Sequence, residues 1–158
     1  MGSWGTGPFD SDDAGDLIAK FRKPVERVAS ARGDASYHYQ EARSVIPFLV
    51  LSHATDILGG PSLEPSLLAL CRMRRDVEWL SGWKSPTRIA RALEKEITEV
   101  WDRMQRCRGC ARSVGRAGFK VLGLLVLEAV ESPVPRRRES KSRASRRAAK
   151  RRISKRRK

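Results

Sequence analysis

Apolar residues recur every three or four positions along most of the chain up to about residue 104, which is the spacing of one face of an α-helix. This periodicity predicts a first helix that begins near Asp10 or Ser11. It predicts further helices over residues 36–58, 65–80 and 86–104. The pattern of hydrophobic and polar positions therefore indicates an all-α fold.

Each predicted helix has one apolar face, and these faces predict the buried residues. In the first helix they are Leu17, Phe21, Val25 and Val28. In the second helix they are Ala42, Ile46, Leu49 or Val50, His53 or Ala54, and Ile57. In the third helix they are Leu67, Leu70, Cys71, Met73 or Arg74, Val77 and Leu80. In the fourth helix they are Ile89, Leu93, Ile97, Val100, Trp101 and Met104. Pro24 is expected to kink the first helix or to start another one, and Pro47 is expected to bend the second.

The fourth helix has a clear start, whereas the segment after it is ambiguous. Ser85 is a good N-cap, and Pro86 suits the first helical position. Three glycines between residues 109 and 118 weaken a helix prediction there. Residues 119–130 form an apolar run that fits either a buried helix or a strand, and periodicity does not decide between them.

Charge separates the chain into a body and a tail. Of the 158 residues, residues 1–135 hold 19 basic and 17 acidic ones, while residues 136–158 hold 14 basic residues and a single acid. The tail has one large apolar residue, Ile153, so it cannot bury a core of its own. We predict a bundle of four to five helices over residues 1–131. A Pro-containing linker and a disordered basic tail follow over residues 132–158.

A tail of this composition favours binding to a polyanion. Clustered cations condense on nucleic acid and release its counterions, and the absence of aromatic residues from the tail argues against base stacking. We therefore predict a non-catalytic module whose tail contacts nucleic acid nonspecifically. The predicted contact residues are Arg136, Arg137, Arg138, Lys141, Arg143, Arg146, Arg147, Lys150, Arg151, Arg152, Lys155, Arg156, Arg157 and Lys158.

Two alternatives to nucleic-acid binding remain open at this point. In one, the body is a protein-interaction module of an immunity or regulatory kind, and the tail merely makes it soluble. In the other, the tail associates with the surface of an anionic membrane. The sequence leaves the choice between DNA, RNA, lipid and protein open, and it predicts no oligomeric state.

Few residues suit catalysis or metal binding. Cys107 and Cys110 have the spacing of a metal-ligand or redox pair, but a structural zinc site needs four ligands. The remaining cysteine and the two histidines occur at unrelated spacings. His53 precedes Asp56 by three residues, without an identifiable nucleophile nearby. We therefore expect no enzyme activity, no cofactor and no bound metal, and a structural role for His53.

The compartment follows from the cysteines and from the distribution of charge and apolar residues. Three cysteines, an odd number, argue for a reducing environment. The first basic residue is Lys20, so the N-terminus lacks the basic region of a secretory signal. The longest apolar run, residues 121–127, is too short to cross a membrane. These features predict a cytoplasmic protein without a transmembrane segment.

The first 16 residues carry a distinctive motif made of Trp4, Gly5, Gly7, Phe9, Asp12 or Asp13, Ala14 and Asp16. It resembles the Trp-Gly-x-Gly-x-Phe-x-x-Asp-x-Ala-x-Asp signature that opens a bacterial family of unknown function, DUF4259. The resemblance is specific over these residues and loose to about residue 104. It implies a small, mostly helical bacterial protein and supplies no activity. We expect Trp4 and Phe9 to pin the chain end onto the bundle, while Asp13 and Asp16 complement the first helix dipole.

Overall fold

The structure, a computed structural model, describes residues 12–54 and 62–134. These residues form six α-helices and one short 3-10 turn, Ser36–His38, and no strand occurs among them. The helices are α1 (Asp12–Ser30), α2 (Tyr39–Ala54), α3 (Glu64–Arg75), α4 (Val77–Ser81), α5 (Pro86–Arg106) and α6 (Arg108–Glu131). The all-α prediction is therefore confirmed. The ambiguous segment 119–130 lies inside helix α6.

Several predicted helix boundaries were wrong. Helix α1 runs through Pro24 as one element, although proline removes a backbone hydrogen bond, because Val25 and Val28 beyond it are buried in the core. Residues 36–38, predicted as the start of the second helix, form the 3-10 turn, and α2 begins at Tyr39. Pro47 lies inside α2, which continues to the last described residue before the gap, and the bend expected there stays a prediction.

The third predicted helix is two helices, because Asp76 breaks it. Asp76 has non-helical dihedral angles (φ −78°, ψ 89°), and its side chain accepts a hydrogen bond of 2.8 Å from the Trp79 backbone amide as the N-cap of α4. The break changes the face that follows it. Val77, predicted to be buried, is 43% exposed, whereas Leu80 is buried as predicted.

Helix α3 lies at the centre of the bundle. It packs against α1, α2, α5 and α6, and its buried residues surround most of its circumference. The main core residues on α3 and α5 are Leu67, Leu70, Met73, Leu93, Ile97, Val100 and Met104, and α6 adds Leu122, Val126 and Ala129. Both residues of the predicted choice Met73 or Arg74 are buried, because α3 has neighbours on several sides.

Glycine interrupts helix α6 at one position. Gly115 has φ 72° and ψ 164°, a backbone conformation open almost only to glycine, and it joins two helical segments across a kink. Further along, a Cβ atom on Gly123 would lie 3.6 Å from the Trp101 ring, an ordinary van der Waals distance at which α6 lies against α5. Of the three glycines that weakened the sequence prediction, Gly115 thus forms the kink, while Gly109 and Gly118 lie within the two helical segments.

Arg74 is a charged residue inside the core. Its side chain is fully buried, and it donates two hydrogen bonds to Glu94 of α5, at 2.7 and 3.1 Å from Oε1. The same guanidinium donates to the backbone carbonyl of Ser132, just after α6, at 2.7 Å. A buried cation needs such partners, since its desolvation is otherwise uncompensated. Arg74 therefore connects α3, α5 and the end of α6.

Removing the Glu94 carboxylate should strongly destabilise the protein. The Glu94→Ala variant leaves the Arg74 guanidinium buried without a counter-charge, at a cost of about 3–5 kcal/mol in the free energy of unfolding. Glu99→Ala is the matched control, because Glu99 lies on the same helix in an exposed pair with Lys95, and its loss should cost less than about 1 kcal/mol. Urea unfolding measures both. Equal losses in the two variants would show that the buried pair contributes no more than the exposed one.

Cys71 should make stability fall at alkaline pH. Burial raises the pKa of this thiol from 9.0 to about 12, against an opposing effect of Arg75. Between these two values the unfolded chain loses a proton that the folded chain keeps, so stability declines as pH rises, by about 1.4 kcal/mol per unit. Below pH 9 this contribution is fully present. Between pH 9.5 and 10.5 the free energy of unfolding should fall less in Cys71→Ala than in the unchanged chain. Equal declines in the two proteins would contradict the raised pKa of Cys71.

Candidate functional site

A histidine and two cysteines converge where the end of the described part of α2 meets the junction of α5 and α6. His53 Nε2 lies 3.2 Å from Cys110 Sγ and 3.6 Å from Cys107 Sγ. The three donor atoms all lie within 4.8 Å of one another. Cys110 is buried, and the other two residues are half-buried. Among the described residues this is the group whose side chains could hold a metal ion. We call these three residues the Cys–His cluster.

The local backbone holds the two cysteines close together. Cys107 stands between α5 and α6 with extended dihedral angles (φ −86°, ψ 109°), and its amide donates to the carbonyls of Arg103 and Met104. Its Sγ in turn accepts a hydrogen bond of 3.2 Å from the Cys110 amide and so serves as the N-cap of α6. Sulfur therefore occupies the position where the helix dipole favours negative charge.

Electrostatics keeps the Cys110 thiol neutral in the absence of a bound cation. Burial, followed by its hydrogen bond and electrostatic interaction with Cys107, raises the pKa of Cys110 to about 12. Hydrogen bonding from the backbone amides of Cys110 and Leu63 opposes this rise.

The sequence showed the spacing of Cys107 and Cys110 but not their partner. His53 precedes Cys107 by 54 residues, and no spacing rule connects them. The available signal was the prediction that His53 or its neighbour lies on the inner face of the second helix. Of the other candidates, Cys71 is buried in α3, and His38 lies in the 3-10 turn with Nδ1 3.9 Å from Glu41. Asp56 lies outside the described residues.

A second feature is a group of basic residues on the first half of α6. Arg108 and Arg112 lie before the kink at Gly115 and Arg116 and Lys120 lie after it, and all four are exposed. No acidic residue occurs between Asp102 and Glu128. No carboxylate in the part of the chain that the structure describes comes within 4.0 Å of these four cations. We call these four residues the α6 basic surface.

Three acids of α5 and α6 are paired with arginines of other helices. Glu96 binds Arg43 of α2 at 2.7 Å, and Glu128, near the end of α6, binds Arg75 of α3 at 3.2 Å. Glu94 neutralises the buried Arg74. Counting charges over residues 1–135 suggested an almost neutral body, because a net count averages over these pairs and hides the basic helix.

A cleft of about 970 Å³ lies between the end of α1 and the region around α4. Its charged groups already have structural roles. Arg72 donates to the carbonyls of Val28, Ala31 and Gly33 at the C-terminal end of α1, and Arg75 is paired with Glu128. Asp76 caps α4. These contacts explain the polar residues of the cleft as helix-end stabilisation, so the Cys–His cluster is the stronger candidate for ligand chemistry.

Other predicted site residues fall outside or at the edge of the described ranges. The predicted nucleic-acid contacts, residues 136–158, lie outside them, as do Trp4, Gly5, Gly7 and Phe9. Asp13 and Asp16 lie within the first turns of α1, and their role at the helix dipole stays a prediction.

Two further findings concern membrane-spanning helices and similarity to known proteins. Within the described ranges, no helix combines the length and the apolar character that crossing a membrane requires. The chain matches no protein-family model, no curated protein and no solved structure. The resemblance of the first 16 residues to DUF4259 therefore stays a prediction.

Proposed function

We propose that this protein is a non-catalytic helical module that binds nucleic acid nonspecifically, using its basic tail together with the α6 basic surface. One observation carries the proposal: α6 has four exposed cations with no carboxylate of the described residues within 4.0 Å. They are Arg108, Arg112, Arg116 and Lys120. They supply a second cluster of positive charge on the folded body. The 14 basic residues of the tail follow on the same chain.

The physics of binding is counterion release. Each phosphate that a lysine or arginine neutralises releases condensed cations, so affinity falls steeply with salt. Exposed side chains on a helix lose less freedom on binding than the same residues on an unfolded segment. The α6 basic surface therefore offers contacts from ordered side chains. The tail adds many more contacts, and each of them costs more conformational freedom on binding.

The residue types on α6 suit contacts to phosphates and, among the bases, leave only guanine to be recognised, by arginine. Between Arg108 and Lys120 the only polar uncharged side chain is Ser113, and asparagine, glutamine and acids are absent. Asparagine and glutamine are the usual readers of adenine edges, and acids accept from cytosine. Phosphate contacts position a protein without selecting sequence. The three cysteines form no disulfide, in agreement with the reducing cytoplasm that we propose as its location.

A protein-interaction role is the second candidate, and an apolar strip on the second half of α6 favours it. Val121, Leu124 and Leu127 are 57%, 62% and 56% exposed. They stand three residues apart, next to a groove that Trp101 of α5 also lines. Exposed apolar side chains in a row often mark an interaction surface.

Neutralising the α6 basic surface should weaken binding and its salt dependence. In the variant with Arg108, Arg112, Arg116 and Lys120 replaced by Gln, we expect the slope of log K against log salt to decrease by about 0.9 for each phosphate that is no longer neutralised. Glutamine preserves helix propensity. The matched control replaces three exposed cations at the start of α5, Lys84, Arg88 and Arg91, by Gln. Fluorescence anisotropy with a labelled duplex, at several salt concentrations, measures the slopes.

A chain ending at residue 135 separates the two contributions. It should keep weak, salt-dependent binding if the α6 basic surface contributes, and full-length affinity in this truncated chain would exclude the tail. Equal slopes for the α6 variant and the α5 control would exclude the α6 surface. If the full-length chain, the truncated chain and the α6 variant all fail to bind nucleic acid, the proposal is wrong. The apolar strip then favours the protein-interaction role instead.

The protein-interaction role has its own test, the sedimentation of Leu124→Glu against the unchanged chain. A loss of self-association in this variant supports a protein partner.

A further inference from the structure

We propose that His53, Cys107 and Cys110 bind one zinc ion, an inference that stands independently of nucleic-acid binding. The three residues come from two distant parts of the chain, and tertiary packing alone brings them together. Their donor atoms, one imidazole nitrogen and two sulfurs, are the ligands that zinc prefers in proteins. Hard cations such as Mg²⁺ and Ca²⁺ require oxygen donors instead.

The distances between the donor atoms fit a tetrahedral ion. With Zn–S bonds of about 2.3 Å and Zn–N bonds of about 2.0–2.1 Å, a tetrahedral site has N–S edges of about 3.6 Å and S–S edges of about 3.8 Å. In the Cys–His cluster the two N–S distances are 3.2 and 3.6 Å. All three atoms lie within 4.8 Å of one another. The nitrogen and the two sulfurs need to move by a few tenths of an ångström to about 1 Å to form one triangular face of the tetrahedron. Side-chain rotation allows movements of this size.

The surroundings of Cys107 favour the charged thiolate that zinc requires, whereas burial raises the pKa of Cys110, so its thiolate forms only together with the bound cation. Cys107 Sγ accepts from the Cys110 amide at 3.2 Å and lies at the positive end of α6. The Leu63 amide also interacts with Cys110. Amide hydrogen bonds to a thiolate are charge-assisted and stronger than those to a neutral thiol. The exposed cations of Arg106 and Arg108, which flank Cys107 in sequence, add further positive potential.

The described residues supply three protein ligands, so the fourth position belongs to water or to a further donor. Such three-ligand sites bind a solvent molecule or a small ligand at the open position. The ion would fasten the end of α2 to the α5–α6 junction. It would thereby also fix the start of the α6 basic surface relative to the body.

Metal titration of the full-length chain tests the proposal. Protein purified under reducing conditions and stripped of metal is titrated with Zn²⁺ against a chromophoric chelator, and with Co²⁺ as a spectroscopic substitute. We expect one ion per chain. The Co²⁺ form should show visible bands of tetrahedral geometry and a sulfur-to-metal charge-transfer band. Absence of stoichiometric binding, or a Co²⁺ spectrum without sulfur ligation, overturns the proposal.

Single substitutions identify the ligands. Cys107→Ser, Cys110→Ser and His53→Gln should each weaken Zn²⁺ binding at least about 100-fold, because each removes one of three direct ligands. Cys71→Ala and His38→Gln are the matched controls, with the same residue types outside the cluster, and they should keep the affinity of the unchanged chain. Unchanged affinity in His53→Gln would mean that the cysteine pair binds metal without this partner, and it would refute the three-residue site.

Thermal unfolding covers the case in which a variant fails to fold. For the unchanged chain, Zn²⁺ at one hundred times its Kd should raise Tm by on the order of 10 °C over the chelator-treated protein. The same comparison in the His38→Gln control should give an equal shift. A Tm that does not respond to Zn²⁺ contradicts binding to the folded state.

Discussion

The burial of Arg74 is the constraint on which the arrangement of the helices depends. Its guanidinium lies in the core where α3 meets α5 and the end of α6, and it must be neutralised there, because an unpaired buried charge is strongly destabilising. Glu94 supplies the counter-charge and Ser132 a carbonyl acceptor. Since α3 also packs against α1 and α2, satisfying one buried cation defines the position of the central helix to which most of the bundle is attached.

The same requirement determines where positive charge is left exposed. Two acids of α5, Glu96 and Glu94, bind Arg43 of α2 and Arg74 of α3, while Glu99 and Asp102 pair with cations of their own helix. The beginning of α6 has no acids of its own and receives none from its neighbours within the described residues. Its arginines therefore keep their positive field while the body as a whole is almost neutral. Net charge is a poor guide to such a surface, because pairing is a property of contacts and not of composition.

The kinked helix α6 carries three different surfaces along one element. Its first turn holds the cysteines of the Cys–His cluster, the following turns expose the α6 basic surface, and the second half exposes an apolar strip beside Trp101. The kink at Gly115 divides the helix into two segments. Metal chemistry, phosphate contact and protein contact would thus be coupled through the position of a single helix.

Local sequence determined the class of the fold and much of its core. Helical periodicity identified the all-α architecture and buried residues such as Leu93 and Ile97, and Ser85 with Pro86 identified the start of α5, because each of these depends on neighbours within a few residues. Ser85 stands at the N-cap without a side-chain hydrogen bond to the helix. Asp76 was missed, since a single capping side chain interrupts an apolar pattern that continues through it.

Only the tertiary structure decided the rest. The run 119–130 satisfies a helix and a strand equally in sequence, and its packing against α3 and α5 selects the helix. His53 joins Cys107 and Cys110 across more than fifty residues, because α2 and the α5–α6 junction are brought together by the core between them. Long-range proximity of this kind results from the sum of many packing contacts, and no local spacing encodes it.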